Sequence, residues 1–269
     1  MDSNVFQETV EVTVKILRSR PSALISDIDG TLSPIVASPE EAEVLPECRS
    51  ALQSLASQLD LVALISGRTA AEARRMVGLD ELLYVGNHGL ERWNASSGYQ
   101  NEAAPYEVGM RDLKTRLEEE LRGMPDVRIE DKTFILALHY RGAPRPDNAR
   151  RRILELLEQL APANRFVVAE GKMVIEVRPP LEMNKGTVVE GIVRENRLRG
   201  AVFLGDDVTD VDAMRALRRL RHESNMSIMV IGVGGDEMPA ALAAEAEALL
   251  PGPEAVAEFL TAAANALSA

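Results

Sequence analysis

The chain has 269 residues, of which 46% are hydrophobic and 27% charged, enough apolar matter for one large domain or a domain with an insert, so disorder is excluded as the default state. Its net charge of −12 argues against nucleic acid or an anionic membrane as the main partner. The single cysteine, Cys48, excludes an intrachain disulfide and suits a reducing compartment.

The first twenty residues carry Glu8 and Glu11 and no unbroken apolar run, unlike a signal peptide, and no segment has the length and apolarity of a membrane span. A cytoplasmic location is the expectation. Residues 23–25 read as a short buried strand, closed by the acidic turn Asp27-Ile28-Asp29-Gly30-Thr31-Leu32. A helix over 40–59, a strand over 61–65, a helix over 69–77 and a strand over 82–85 follow. From 109 to 179 the pattern becomes helix, strand, strand, twice over. Met110, Leu113, Leu117 and Leu121 form one helical stripe, and Ile153, Leu156, Leu157 and Leu160 the other. Hairpin strands are expected at 127–130 with 133–141, and at 166–169 with 173–178. Glu130-Asp131-Lys132 recurs as Glu170-Gly171-Lys172 (170 − 130 = 40 residues), which suggests an internal duplication. The last third reads as a helix over 185–197, a strand over 201–204, a helix over 208–220, a strand over 228–233 and an amphipathic surface helix over 254–269.

Strands alternating with helices imply an α/β fold, a parallel sheet covered on both faces. The insert 109–179 divides this core into 1–108 and 180–269, and an α/β insert of that size is expected to serve as a lid. In such sheets ligands bind beyond the carboxyl ends of the strands. Four expected strand ends carry polar residues: Asp27 and Asp29, then Ser66-Gly67-Arg68-Thr69, then Asn87-His88-Gly89, then Gly205-Asp206-Asp207.

Asp27 and Asp29 lie two apart at a strand tip, so their side chains point the same way. Paired carboxylates repel unless a cation sits between them, and Mg²⁺ favours carboxylate and phosphate oxygens. One carboxylate can attack phosphorus while the other moves a proton. A Ca²⁺ loop is the rival reading, but one starting at Asp27 would need Gly at its sixth position and Glu at its twelfth, where Leu32 and Ser38 stand. Ser66 can hold phosphate oxygens or simply cap a helix. Lys185, at an expected helix start, is either a solvated lysine or a partner for something anionic. Three acidic residues, Asp206, Asp207 and Asp210, follow a buried strand and call for compensation beyond a helix dipole.

In order and in kind, these motifs resemble those of the haloacid-dehalogenase superfamily of phosphohydrolases, which fold as a Rossmann-like parallel sheet core with an inserted α/β cap. That resemblance implies Asp27 as nucleophile, Asp29 as general acid and base, and Thr31, Ser66, Gly67 and Lys185 around the phosphate. It also implies a Mg²⁺ ion held by Asp27, Asp206 and the backbone oxygen of Asp29, with Asp207 or Asp210 beside it. A narrower resemblance, to trehalose-6-phosphate phosphatases, is carried by Asp29-Gly30-Thr31-Leu32-Ser33-Pro34-Ile35, Ile65-Ser66-Gly67-Arg68, His88-Gly89-Leu90-Glu91, Glu130-Asp131-Lys132, His139-Tyr140-Arg141, Glu176-Val177-Arg178-Pro179 and Gly205-Asp206-Asp207-Val208-Thr209-Asp210. It implies Asn87, His88, Glu130, Lys132, His139, Arg141 and Glu176 as sugar-binding residues. Lys172, Val174, Glu176 and Arg178 share one strand face, which is equally consistent with a solvated face laced by ion pairs.

The expected activity is Mg²⁺-dependent hydrolysis of trehalose 6-phosphate through an aspartyl-phosphate. Asn87, Met183 and Asn184 leave room for glucosyl- or mannosyl-3-phosphoglycerate, sucrose phosphate or glucosylglycerol phosphate. An alternative of another class is a non-catalytic sugar-phosphate-binding protein. The expected partner is a small-molecule sugar phosphate, with no nucleic acid and no membrane.

Overall fold

A computed structural model describes residues 3–36, 39–124, 126–132, 134–160, 166–181, 183–234 and 238–269. Its contacts divide the chain into two units, Met1–Gln100 with Met183–Ala269, and Asn101–Glu182. The segment 109–179 lies inside the second.

The first unit runs α1 (Ser3–Leu17), β1 (Ser22–Ser26), α2 (Pro46–Ala56), β2 (Leu61–Ile65), α3 (Ala70–Val77), β3 (Leu83–Gly86), β4 (Glu91–Asn94) and β5 (Gly98–Asn101). The inserted unit carries α4 (Glu107–Glu120), β6 (Arg128–Asp131), β7 (Leu136–His139), α5 (Pro146–Leu160), β8 (Val167–Gly171) and β9 (Val174–Arg178). The chain then returns to the first unit with α6 (Lys185–Glu195), β10 (Gly200–Gly205), α7 (Val208–Ser224), β11 (Ser227–Val233), α8 (Ala240–Glu245), β12 (Ala248–Leu250) and α9 (Pro253–Ser268).

The first unit's sheet has the order β12-β11-β10-β1-β2-β3-β4-β5, with β12 through β3 parallel and β4 antiparallel to β3. Strand residues alternate between its faces. Leu24, Val62, Leu64, Val202 and Leu204 pack with α1, α2, α3 and α9, whereas Ala23, Ile25, Ala63, Ile65, Ala201 and Phe203 pack with α6 and α7. Both faces are buried, so the strands are apolar throughout and read clearly from sequence.

Two elements differ from expectation. Residues 40–59 do not form one helix: a 3₁₀ turn, Pro39–Glu41, precedes α2, which begins at Pro46. A proline ring is accommodated in a helix's first turn and blocks the turn before it. The helix at the end of the chain is amphipathic, but its apolar face is part of the core: Val256, Phe259, Leu260 and Ala263 are buried against α1 and α2. Cys48, on α2, is fully buried in this layer, its sulfur 3.9 Å from the Pro253 carbonyl.

In the inserted unit the sheet order is β6-β7-β9-β8, all antiparallel. Leu136, Leu138, Ile175 and Val177 bury one face against Met110, Leu113, Leu117, Ile153 and Leu156 of α4 and α5. The helix-strand-strand repeat is present, but with a different spacing. Asp131 pairs in register with Leu136 and its carboxylate meets Lys114 of α4 at 2.9 Å; Glu170 pairs with Ile175 and meets Arg150 of α5 at 2.6 Å. The repeat therefore equates Asp131 with Glu170 (170 − 131 = 39 residues). Matching Glu130 to Glu170 by letter places one on each side of the sheet, because a one-residue slip turns a strand over. Thr133, expected to open the second strand, lies outside the described residues.

Candidate active site

The strand order places a topological switch between β1 and β10. The chain moves from β1 outward through β2 and β3, and from β10 outward the other way through β11 and β12. Crevices form at such switch points, beyond the carboxyl ends of the strands. Asp27 follows β1 and Asp206 follows β10, and the Asp27 N–H donates to the Leu204 carbonyl at 2.9 Å.

The turn after Asp27 is held by its own backbone. Leu32 and Ser33 N–H groups donate to the Ile28 carbonyl and Gly30 N–H to the Ser33 carbonyl. Gly30 sits at φ +81°, and a Cβ there would lie 2.0 Å from Oδ2 of Asp206. Only glycine satisfies both the left-handed backbone and this close approach. The Asp206 carboxylate in turn accepts from Thr31 Oγ1 at 3.3 Å.

Lys185, the first residue of α6, is 3% exposed. Its Nζ donates to Asp27 Oδ1 at 2.6 Å and to Asp210 Oδ1 at 2.7 Å. The solvated-lysine reading is thereby replaced by a buried pair with two carboxylates. Asp210 is fully buried, and its second oxygen accepts the N–H groups of Asp206 and Asp207 at 3.1 and 3.0 Å. Both Asp210 oxygens are thus committed to bracing the lysine and the loop.

Carboxylate oxygens of Asp27, Asp206 and Asp210 lie within 4.8 Å of one another. Three carboxylates face one ammonium. Burial pushes the Asp27 carboxyl well above the ordinary range despite Lys185, and the charges of Asp210 and Asp206 add to the rise. Asp206 is pushed up to about 6, first by burial and then by Asp210. For Lys185, burial works against the charge, but Asp27 and Asp210 outweigh it and hold the ammonium above its usual value. Asp27 and Asp206 are thus close enough for one cation to meet both carboxylates. A hard dication matches this donor set and its excess negative charge.

Two sequence-expected residues lie outside the acidic cluster. Asp207 accepts the Val208 N–H and caps α7, an exposed role at a helix start. The Asp29 carboxylate is gripped by Arg68 through contacts of 2.6, 2.8 and 3.1 Å. That grip raises the Arg68 guanidinium above its ordinary value, against burial.

Ser66 is buried, and its Oγ accepts the Arg68 N–H at 3.1 Å; the helix cap is Thr69, with Glu72 completing a capping box. A Cβ on Gly67 would come 3.0 Å from the His88 ring. Asn87 and His88 have φ of 47° and 55°, left-handed values that cost on the order of 1 kcal/mol each. Asn87 is buried and its amide donates to Glu91, so its side chain is turned into the fold.

The remaining expected residues belong to the inserted unit. Glu130, Ala137, Glu176 and Ala169 share one register row on the sheet face opposite the helices. His139 Nε2 lies 2.9 Å from Glu130 Oε2, and Lys132 Nζ lies 3.9 Å from Glu130 Oε1. Arg141 donates to the Lys172 carbonyl at 3.3 Å. The sequence names Glu91 only as the last residue of the motif His88-Gly89-Leu90-Glu91, with no role of its own, and leaves Asp210 between ligand and support. A buried acid has the same letter as a solvated one, and neither role carries a periodic signal.

Similarity to known proteins agrees with this geometry. Residues 25–244 match the family model described as trehalose-phosphatase. The trehalose-phosphate phosphatase of Mycobacterium avium is 35% identical over 253 residues, covering 90% of this chain and 62% of that protein. This chain spans less than two thirds of the length of such curated relatives. Among solved structures, the C-terminal domain of a Candida albicans trehalose-6-phosphate phosphatase superposes with a TM-score of 0.71 at 26% identity, covering 95% of this chain and 96% of that one. The Aspergillus fumigatus trehalose-6-phosphate phosphatase superposes with a TM-score of 0.68 at 26% identity, covering 96% and 97%. With the acidic switch-point cluster and its lysine lying inside the matched segment, the chain belongs to the trehalose-phosphatase family.

Proposed function

We propose that the protein is a Mg²⁺-dependent phosphatase that hydrolyses trehalose 6-phosphate to trehalose and phosphate. The observation that carries this reading is the meeting of Asp27, Asp206, Asp210 and Lys185 beyond the ends of β1 and β10. The Asp27 carboxylate attacks phosphorus in line, and the bond to the sugar oxygen breaks as Asp29 gives that oxygen a proton. Asp29 then takes a proton from water, whose oxygen attacks the aspartyl-phosphate and returns Asp27. To reach the sugar oxygen, Asp29 exchanges its fork with Arg68 for the substrate. Lys185 offsets the charge on Asp27 and on the phosphoryl oxygens, while Asp210 keeps the ammonium aimed. Thr31 Oγ1, the Ser66 hydroxyl and the Gly67 N–H hold phosphate oxygens.

Asp27, Asp206 and the backbone oxygen of Asp29 would hold Mg²⁺, which supplies charge neutralisation at the phosphoryl group. Glu130, Lys132, His139, Arg141 and Glu176, with His88, recognise sugar hydroxyls. Asn87 acts by shaping the turn that carries His88. A phosphorylated sugar is held inside the cell by its charge, so a cytoplasmic location suits this activity.

The test is phosphate release from trehalose 6-phosphate and from the related sugar phosphates, with Mg²⁺ and with EDTA. Trehalose 6-phosphate is expected to be the best substrate and EDTA to abolish turnover. Asp27→Asn is expected to lower kcat by more than about a thousandfold with its circular dichroism unchanged. Full activity in that variant would remove the nucleophile assignment.

A further inference from the structure

Glu91 is a buried carboxylate that the reaction does not use. It opens β4, is 2% exposed, and meets neutral donors. Its Oε2 accepts the Ala70 N–H at 3.1 Å, its Oε1 accepts from Nδ2 of Asn87, and Tyr99 of β5 supplies a third hydrogen bond. Burial raises its pKa, and these three donors draw it back. A buried carboxylate among neutral donors is costly, so its place asks for a reason. Glutamine would replace it only in part: an amide has a single acceptor oxygen, so it cannot serve all of these donors even if the Asn87 amide turns over.

The donors belong to two loops. Ala70 begins α3, directly after Ser66-Gly67-Arg68-Thr69, and its N–H is one that the helix itself leaves without a partner. Asn87 begins a turn in which Asn87, His88 and Gly89 all have positive φ, at 47°, 55° and 118°. The two loops are already cross-linked by backbone. Asn87 N–H donates to the Arg68 carbonyl at 2.8 Å, and His88 N–H donates to the Ser66 carbonyl at 3.2 Å. They are also pressed together: a Cβ on Gly86 would lie 2.2 Å from the Ala70 nitrogen. Glu91 bonds both sides of this junction through one side chain.

We infer that Glu91 is a positioning residue, whose carboxylate clamps the left-handed turn at 87–89 to the head of α3 and so fixes the loop 66–68. The structural part stands on this packing alone. Its consequence for turnover rests on the phosphatase reading, in which Ser66 and Gly67 meet the phosphoryl group. A rigid loop presents the Ser66 hydroxyl and the Gly67 N–H without reordering when substrate arrives, so the clamp acts on binding more than on bond breaking.

The test uses the whole chain with Glu91→Gln, Asn87→Ala and Tyr99→Phe. Hydrogen exchange is expected to quicken by about tenfold or more at the amides of 66–70 and 87–90 in the first two variants, and by less in Tyr99→Phe, with β10 and β11 unchanged. KM for trehalose 6-phosphate is expected to rise by about tenfold while kcat moves little. The double variant Glu91→Gln with Asn87→Ala is expected to add nothing to the larger single effect. Unchanged exchange at 66–70, or quickening spread evenly over the chain, overturns the clamp. If Glu91→Gln does not fold, Tyr99→Phe decides by the same exchange reading. A wild-type protein inactive on every ester would defeat the phosphatase reading while leaving the exchange result to stand or fall separately.

Discussion

Asp206 shows how one side chain can carry opposite demands. Its carboxyl is held at about 6, above the ordinary 3.8, chiefly by burial and by Asp210. The folded metal-free protein therefore holds this proton more tightly than the unfolded chain does. The stability tied to it is present below about pH 4 and is lost as pH rises through about 6. A dication reverses the balance by favouring the ionised form and competing with the proton. Mg²⁺ is thus expected to raise the melting temperature more at about pH 7.5 than at about pH 5, by scanning fluorimetry. Equal shifts at both pH values would argue that the ion binds elsewhere. The residues bearing this chemistry were readable because aspartates at strand ends sit beside glycines that the backbone requires. Gly30, pressed against Asp206, is the plainest case. What stayed hidden was partnership: Lys185 to Asp210, Asp29 to Arg68, and Asn87 to Glu91 join residues distant in sequence or alike in letter to solvated ones.

The five expected core strands all formed, because burial on both faces leaves an uninterrupted apolar run. Shorter or half-covered elements gave less signal. β4 and β5 lie at the sheet's edge with polar and partly exposed residues, and β12 has three residues. In α1 the spacing of Val10, Val14 and Leu17 is helical, and those residues are buried, but the helix shows a mixed outer face. This helix matters through its partner α9, whose Phe259 is fully buried and meets Phe6 edge-on at 6.5 Å. Phe259→Ala is expected to cost about 3–5 kcal/mol in urea denaturation, since the neighbouring helices cannot collapse into the space. By contrast, the matched pairs Lys114–Asp131 and Arg150–Glu170 are exposed, and pairs of that kind contribute little.

Two compact units make up the whole chain. The first contains the acidic cluster, its lysine and the loop at Ser66; the second presents a sheet face bearing Glu130, His139 and Glu176. The alternation of strands and helices made the first unit legible as a parallel sheet, and the pattern changes near residue 109, inside the second. The family resemblance, carried by short motifs in order, is borne out by the match over residues 25–244. If recognition of the sugar rests on the second unit, chemistry and specificity are separable. Glu176→Gln is then expected to raise KM for trehalose 6-phosphate about tenfold, the loss of one charged hydrogen bond, while p-nitrophenyl phosphate hydrolysis is unchanged. Equal losses on both esters would tie Glu176 to the chemical step.

Cys48 gives the chain a built-in clock. Burial first, then Glu47 and Glu254, push its thiol up to about 12, so at neutral pH almost none is thiolate. A disulfide reagent such as Ellman's compound reacts only during excursions that part α2 from α9 and wet the sulfur. Its labelling rate therefore times the opening of one helical layer, with no introduced probe. Phe259→Ala is expected to speed that reaction well before the melting transition.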